Sequence, residues 1–113
     1  MHELSLMDAV RQQVLEQAAL HGAGRITAIT LRVGSLAGVE IEALRLAHTV
    51  VMADTLAAGS RLEIEAVEAA CFCAACEQPF AAHDGCCECP RCGRISRELL
   101  RGRELQLASM EIA

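Results

Sequence analysis

Two Cys-x-x-Cys pairs, Cys73-Ala74-Ala75-Cys76 and Cys89-Pro90-Arg91-Cys92, are separated by twelve residues, and nothing else in the sequence restricts the fold as strongly. Each pair can form a tight turn that aims two sulfurs at one point, so together they can close a tetrahedral thiolate site around one zinc ion. Pro90 fixes φ inside the second turn, and Gly93 is free to take the left-handed conformation just after it. Four thiolates leave zinc no open position, so such a site holds its segment folded and activates no water. The expected ligands are Cys73, Cys76, Cys89 and Cys92. Cys86-x-x-Cys89 has the same spacing, and Cys71, Cys87 and His83 stand within reach as substitutes. The Pro-x-Cys-Gly context favours pairing Cys89 with Cys92.

Other readings of seven cysteines carry less weight. A disulfide framework would be usual in a short secreted chain, but the count is odd and Met1-His2-Glu3 is not a cationic start to an apolar run. A four-thiolate cage also suits iron, although iron–sulfur clusters are marked by tighter runs of cysteine. Cys71, Cys86 and Cys87 are read as buried or bystander thiols.

A chain of 113 residues with 53% hydrophobic content suits one compact domain carrying a small metal-stapled module. The net charge is −5, and all ten basic residues are arginine. This balance argues against general affinity for nucleic acid, although five arginines fall between Arg91 and Arg103. With Phe72 and Phe80 as the only aromatics, a stacking surface for single strands is also missing. No apolar run approaches the length of a membrane span, because charges and glycines interrupt every candidate. The expectation is a cytoplasmic protein.

Along the chain, Ser5-Leu6-Met7-Asp8 resembles a capping box, which predicts a helix from about Leu6 to Gly22 with Met7, Val10, Val14 and Ala18 on one face. Met1 to Leu4 is then read as a short strand holding the amino terminus at a sheet edge. Alternation from Arg25 to Val33 predicts a second strand, and Ile41, Leu44, Ala47 or His48, and Val51 mark a second helix from about Glu40 to Leu56. His21 is placed at a helix end, and His48 is read as a partly buried, hydrogen-bonded side chain. Arg61 to Ala66 alternates strictly, with Glu63 and Glu65 on a solvated face. Strands are also expected over Ile95 to Leu100 and from Glu104 onward, where the parity changes near Ala108-Ser109. The fold class is therefore α+β: a small mixed β-sheet with two packed helices and an inserted four-cysteine zinc-ribbon-like module. Residues 1–70 plus 101–113 would form the main α/β lobe and residues 71–100 the zinc-binding module.

The amino terminus offers a second metal site. The Met1 amine, the main-chain nitrogen of His2 and its imidazole can form fused chelate rings, leaving a fourth position near Glu3 or for an outside ligand. Nitrogen and oxygen donors in this arrangement suit Ni(II) or Cu(II). Met1-His2-Glu3-Leu4-Ser5, Ile29-Thr30-Leu31-Arg32-Val33-Gly34, Ala58-Gly59-Ser60-Arg61-Leu62-Glu63-Ile64-Glu65, the paired Cys-x-x-Cys motifs and Gly102-Arg103-Glu104-Leu105 together resemble the HypA (HybF) family of hydrogenase maturation factors over nearly the whole chain. The resemblance implies a nickel metallochaperone that helps load Ni(II) into NiFe-hydrogenase, and it implies two partners: a HypB-type GTPase and the hydrogenase large subunit. It assigns His2 as nickel ligand, with Met1 and Glu3 beside it, and Cys73, Cys76, Cys89 and Cys92 as zinc ligands. The extra Cys86 and Cys87 and the absence of glycine after Cys76 depart from the family pattern.

Two functions of different class follow. One is metal delivery, with nickel transported and zinc structural. The other is a zinc-ribbon module that binds protein or nucleic acid and has no nickel role. The sequence contains no nucleophile–base constellation and no phosphate-cradling glycine loop, so an enzyme is not expected.

Overall fold

The computed structural model describes residues 2–82 and 86–113; the Met1 amine and His83 lie outside the described residues. The elements run α1 (His2–Leu20), β1 (Ile26–Gly34), α2 (Ile41–Met52), β2 (Arg61–Val67), β3 (Ala70–Cys73), β4 (Gln78–Ala81), β5 (Glu98–Arg101) and β6 (Leu105–Ile112). They form two three-stranded sheets, ordered β2-β1-β6 and β4-β3-β5. Packing divides the chain into one unit of Met1–Leu31, Val39–Ile64 and Leu107–Ala113 and another of Arg32–Gly38 and Glu65–Gln106.

The first unit is built on α1 and α2. Met7, Val10, Val14 and Ala18 are the buried face of α1, and Leu44, Ala47, His48 and Met52 that of α2. Ile26, Ala28, Ile29 and Leu31 are buried on β1, the central strand of its sheet, so residues of both parities are covered there. The Ile26 amide donates to the Leu56 carbonyl ahead of β2, and the Ser35 amide donates to the Val67 carbonyl at its end, so β1 and β2 run parallel across the α2 connection. Arg25 and Ala113 exchange main-chain hydrogen bonds and the Gly34 amide donates to Glu104, which makes β6 antiparallel. The sheet is mixed, as the order of elements implied. The parity change in β6 is accommodated within one strand, where Leu107 and Ala108 are both half-buried.

The amino terminus differs from the expected strand. His2 to Leu6 already belong to α1, so Ser5 lies inside the helix and not at its cap. No β-branched residue stands between Met1 and Val10 to favour extended chain, and Glu3 in the first turn suits the positive end of the helix dipole.

The second unit holds a sheet of its own. Its strands β3 and β4 pair antiparallel from Ala70↔Ala81 to Cys73↔Gln78, and β3 pairs antiparallel with β5. Neither β3 nor β4 was expected from the sequence, because four residues show too little alternation. Pro79 is tolerated because β4 is an edge strand. The strand expected over Ile95 to Leu100 is Glu98–Arg101, and it joins β3 and not the larger sheet. Backbone crowding appears where Gly34 meets Gly102. A Cβ on Gly34 would lie 2.1 Å from the Gly102 carbonyl oxygen, while Gly102 has φ +127 and would place its own Cβ 2.6 Å from that of Ala69. Both positions require glycine.

Candidate metal centre

The antiparallel β3–β4 hairpin delivers the first cysteine pair. Cys73 ends β3, the chain turns through Ala74 and Ala75, and Cys76 precedes Glu77, whose φ of +53 returns the chain into β4. The Cys76 amide donates to the Cys73 sulfur at 3.4 Å. A second turn delivers Cys89 and Cys92. There the Gly93 amide donates to the Cys89 carbonyl at 2.8 Å, the Cys89 amide donates to the Arg94 carbonyl at 2.9 Å, and Gly93 has φ +75. Gly93 is thus in the left-handed conformation foreseen for it.

The turns bring Cys73, Cys76, Cys89 and Cys92 together, with all four Sγ atoms within 4.8 Å of one another. Cys73 and Cys92 sulfurs are 3.6 Å apart, and those of Cys76 and Cys89 are 3.9 Å apart. Thiolates bound at a zinc–sulfur distance of about 2.3 Å would sit about 3.8 Å apart on the edges of a tetrahedron. The set therefore has the donor chemistry and size of a closed four-thiolate centre. Among the described residues it is the only group of three or more potential ligands so arranged. Cys89 is lowered to about 7, chiefly by the hydrogen bond from the Cys92 amide, with that from Arg91 adding to it. Cys76 is pushed up to about 12 by its hydrogen bond with the Cys92 sulfur and by desolvation. A metal entering this group would displace protons, so binding is linked to pH.

The remaining cysteines lie outside the group, as expected, but two of them are not free thiols. Cys71 and Cys87 form a disulfide with a Cα–Cα separation of 5.9 Å, and Cys86 is an exposed free thiol. The sequence carries no signal for this pairing, since it depends on Cys71 facing the small core of Ala69 and Ala82 against which Cys87 packs.

At the amino terminus His2 is exposed and opens α1. The first amides of a helix have no intrahelical acceptor, so the main-chain nitrogen of His2 is not committed to the helix. A Glu3 carboxylate oxygen accepts the Glu40 amide at 3.1 Å, at the start of α2, where no side chain of its own caps the helix. This hydrogen bond from Glu40 is the main cause of a lowered Glu3 pKa, and the bond from its own amide adds to it. The tie joins residues 37 positions apart and was not legible from local pattern.

His48, His21, Glu63 and Glu65 each have a partner close by. His48 Nε2 lies 2.9 Å from Ser60 Oγ in a buried pair, and His21 Nδ1 lies 2.9 Å from the Gln17 carbonyl one turn back. Glu63 and Glu65 are exposed and paired with Arg61 and Arg32. No helix among the described residues is long and apolar enough to cross a membrane.

Comparison with known proteins shows the family and the fold. Residues 1–112 match the family model described as "Hydrogenase/urease nickel incorporation, metallochaperone, hypA". The hydrogenase maturation factor HypA of Synechococcus elongatus is 44% identical over 99% of both chains, and that of Picosynechococcus is 38% identical over 99% of both. The solution structure of the Ni metallochaperone HypA from Helicobacter pylori superposes with a TM-score of 0.70 at 19% identity, covering 97% of this chain and 96% of that one. With its four-cysteine group and its helical amino terminus, this chain belongs to the HypA family of nickel metallochaperones and hydrogenase maturation factors.

Proposed function

We propose that this chain binds Ni(II) at its amino terminus and helps insert it into the large subunit of NiFe-hydrogenase, working with a HypB-type GTPase in the cytoplasm. The full-length match to a nickel-incorporation family carries the reading. His2 would supply imidazole and main-chain nitrogen, with the Met1 amine and Glu3 beside it. Such a set, exposed at a helix start, suits an ion that must leave by ligand exchange.

Zinc is the metal proposed for Cys73, Cys76, Cys89 and Cys92, where it would be structural. Residues 71–100 would then act as a metal-stapled module and residues 1–70 with 101–113 as the nickel-binding lobe. The closed thiolate set leaves no position for a reacting water, so the protein carries metal and catalyses nothing.

Calorimetric titration with Ni(II) tests the amino-terminal site. His2→Ala should weaken binding at least tenfold while leaving zinc content and the circular dichroism spectrum unchanged. A tag placed before Met1, which removes the free amine and no side chain, should weaken it as well. Unchanged nickel affinity in His2→Ala would remove the only nickel site proposed.

A further inference from the structure

The disulfide lies at the foot of the metal centre and joins the same two arms. Strand β3 carries Cys71 and Cys73, and the opposing arm carries Cys87 and Cys89, so each disulfide cysteine stands two residues before a cysteine of the four-sulfur group. The arms are also tied through Ile95 and Ser96. The Ser96 amide donates to the Cys87 carbonyl at 2.7 Å, Glu88 bridges Ile95, and the Ser96 hydroxyl donates to the Phe72 carbonyl. Cys71 and Cys87 are thereby held 5.9 Å apart at Cα, within the usual disulfide range.

The two sulfurs differ in access. Cys71 is fully buried, whereas Cys87 is half-buried and lines a cavity of about 340 Å³ shared with Leu36, Cys86, Ile95, Arg97 and Arg103. Arg97 and Arg103, both exposed, are among its lining residues. A small disulfide bearing carboxylates fits the combination of a half-buried cysteine lining the cavity and two arginines.

From this geometry we infer that Cys87 is a thiol–disulfide exchange site for an anionic low-molecular-weight disulfide, with Cys71 as its resolving partner. The Cys87 thiolate attacks one sulfur of the external disulfide, forms a mixed disulfide and expels the first external thiolate, which takes up a proton. Deprotonated Cys71 then attacks the Cys87 sulfur, breaks the mixed bond and expels the second thiolate. Two electrons pass from the cysteine pair to the external disulfide, which leaves as two thiols. Two equivalents of the same thiol reverse the sequence. The bond ties together the arms that carry the metal-site cysteines, and Cys86, although exposed, takes no part.

The test begins with zinc-loaded protein whose Cys71 and Cys87 have been reduced, incubated with glutathione disulfide and analysed by peptide mapping. The expected product is an intramolecular Cys71–Cys87 disulfide, formed equally well in Cys86→Ser. Cys71→Ala should instead accumulate glutathione on Cys87. Arg97→Gln combined with Arg103→Gln should slow exchange with glutathione disulfide by about three- to tenfold, the range for two exposed charge contacts, without slowing exchange with neutral 2-hydroxyethyl disulfide. A disulfide that maps to Cys86, one that involves any of the four clustered cysteines, or no disulfide in the wild type would overturn the assignment. Equal slowing with both reagents would overturn the anionic specificity.

Discussion

Glu3 and the cysteines show how single residues acquire their roles from neighbours distant in sequence. The Glu3 carboxylate is tied to the Glu40 amide, so it is positioned by the start of α2 as well as by its own helix. Among the cysteines, proximity decides between chemically identical candidates. Cys86 has the correct spacing to Cys89 but stands outside the four-sulfur group, whereas Cys92 lies 3.6 Å from Cys73. Cys92→Ser should therefore reduce zinc content from about one equivalent to well below half after dialysis, while Cys86→Ser should keep its metal. Metal analysis of the two variants checks this, and zinc loss in Cys86→Ser alone would reverse the register. The preference for Cys92 was legible because Pro90 and Gly93 leave a local signature. The Cys71–Cys87 bond was not, because it depends on a core contact.

At the scale of elements, legibility followed length. Strands β1 and β2 and helix α2 could be read because nine, seven and twelve residues repeat a pattern often enough to reveal it. Strands β3 and β4 have four residues each and are held by their pairing register and by the turn through Cys73 and Cys76. The early start of α1 was hidden for another reason. Ser5-x-x-Asp8 carries a capping signature, yet the helix runs through it, with Asp8 bonded instead to Arg11 at 3.1 Å. The tightest constraint on element placement is the crossing at Gly34 and Gly102. Gly34→Ala would force a Cβ onto the Gly102 carbonyl and should destabilise the fold by about 2 kcal/mol or more, the range for overpacking with little room to relax. Gly38→Ala is the matched control for position: no atom lies within 4 Å of the added Cβ, so only the strain of its positive φ remains. Denaturant unfolding should rank Gly34→Ala as clearly the less stable, and equal midpoints would contradict the crowding argument.

For the molecule as a whole, the two units rest on different physics and should respond to different stresses. The second unit has a small core around Ala69, Cys71 and Ala82, too little apolar burial to hold such a segment alone, so its stability should depend on the metal. With the disulfide reduced, a strong chelator should raise hydrogen exchange in 71–100 before it does so in α1. Simultaneous loss in both would contradict independent responses. The first unit has the larger core and contains His48, buried on α2 against Ser60. Desolvation, with the nearby Arg45 charge adding to it, lowers the His48 pKa below its ordinary value of 6.5. The unfolded chain therefore binds a proton more readily than the folded chain. The stability conferred by neutral His48 is present above pH 6.5 and is lost as pH falls through that value toward the lower folded pKa. Thermal unfolding followed by the helix signal should show the midpoint falling between pH 7.5 and pH 5. His48→Gln keeps a polar side chain able to reach Ser60 but does not titrate, so it should flatten that slope even if its midpoint at pH 7.5 is lower. An identical slope in the variant would show that acid sensitivity arises elsewhere.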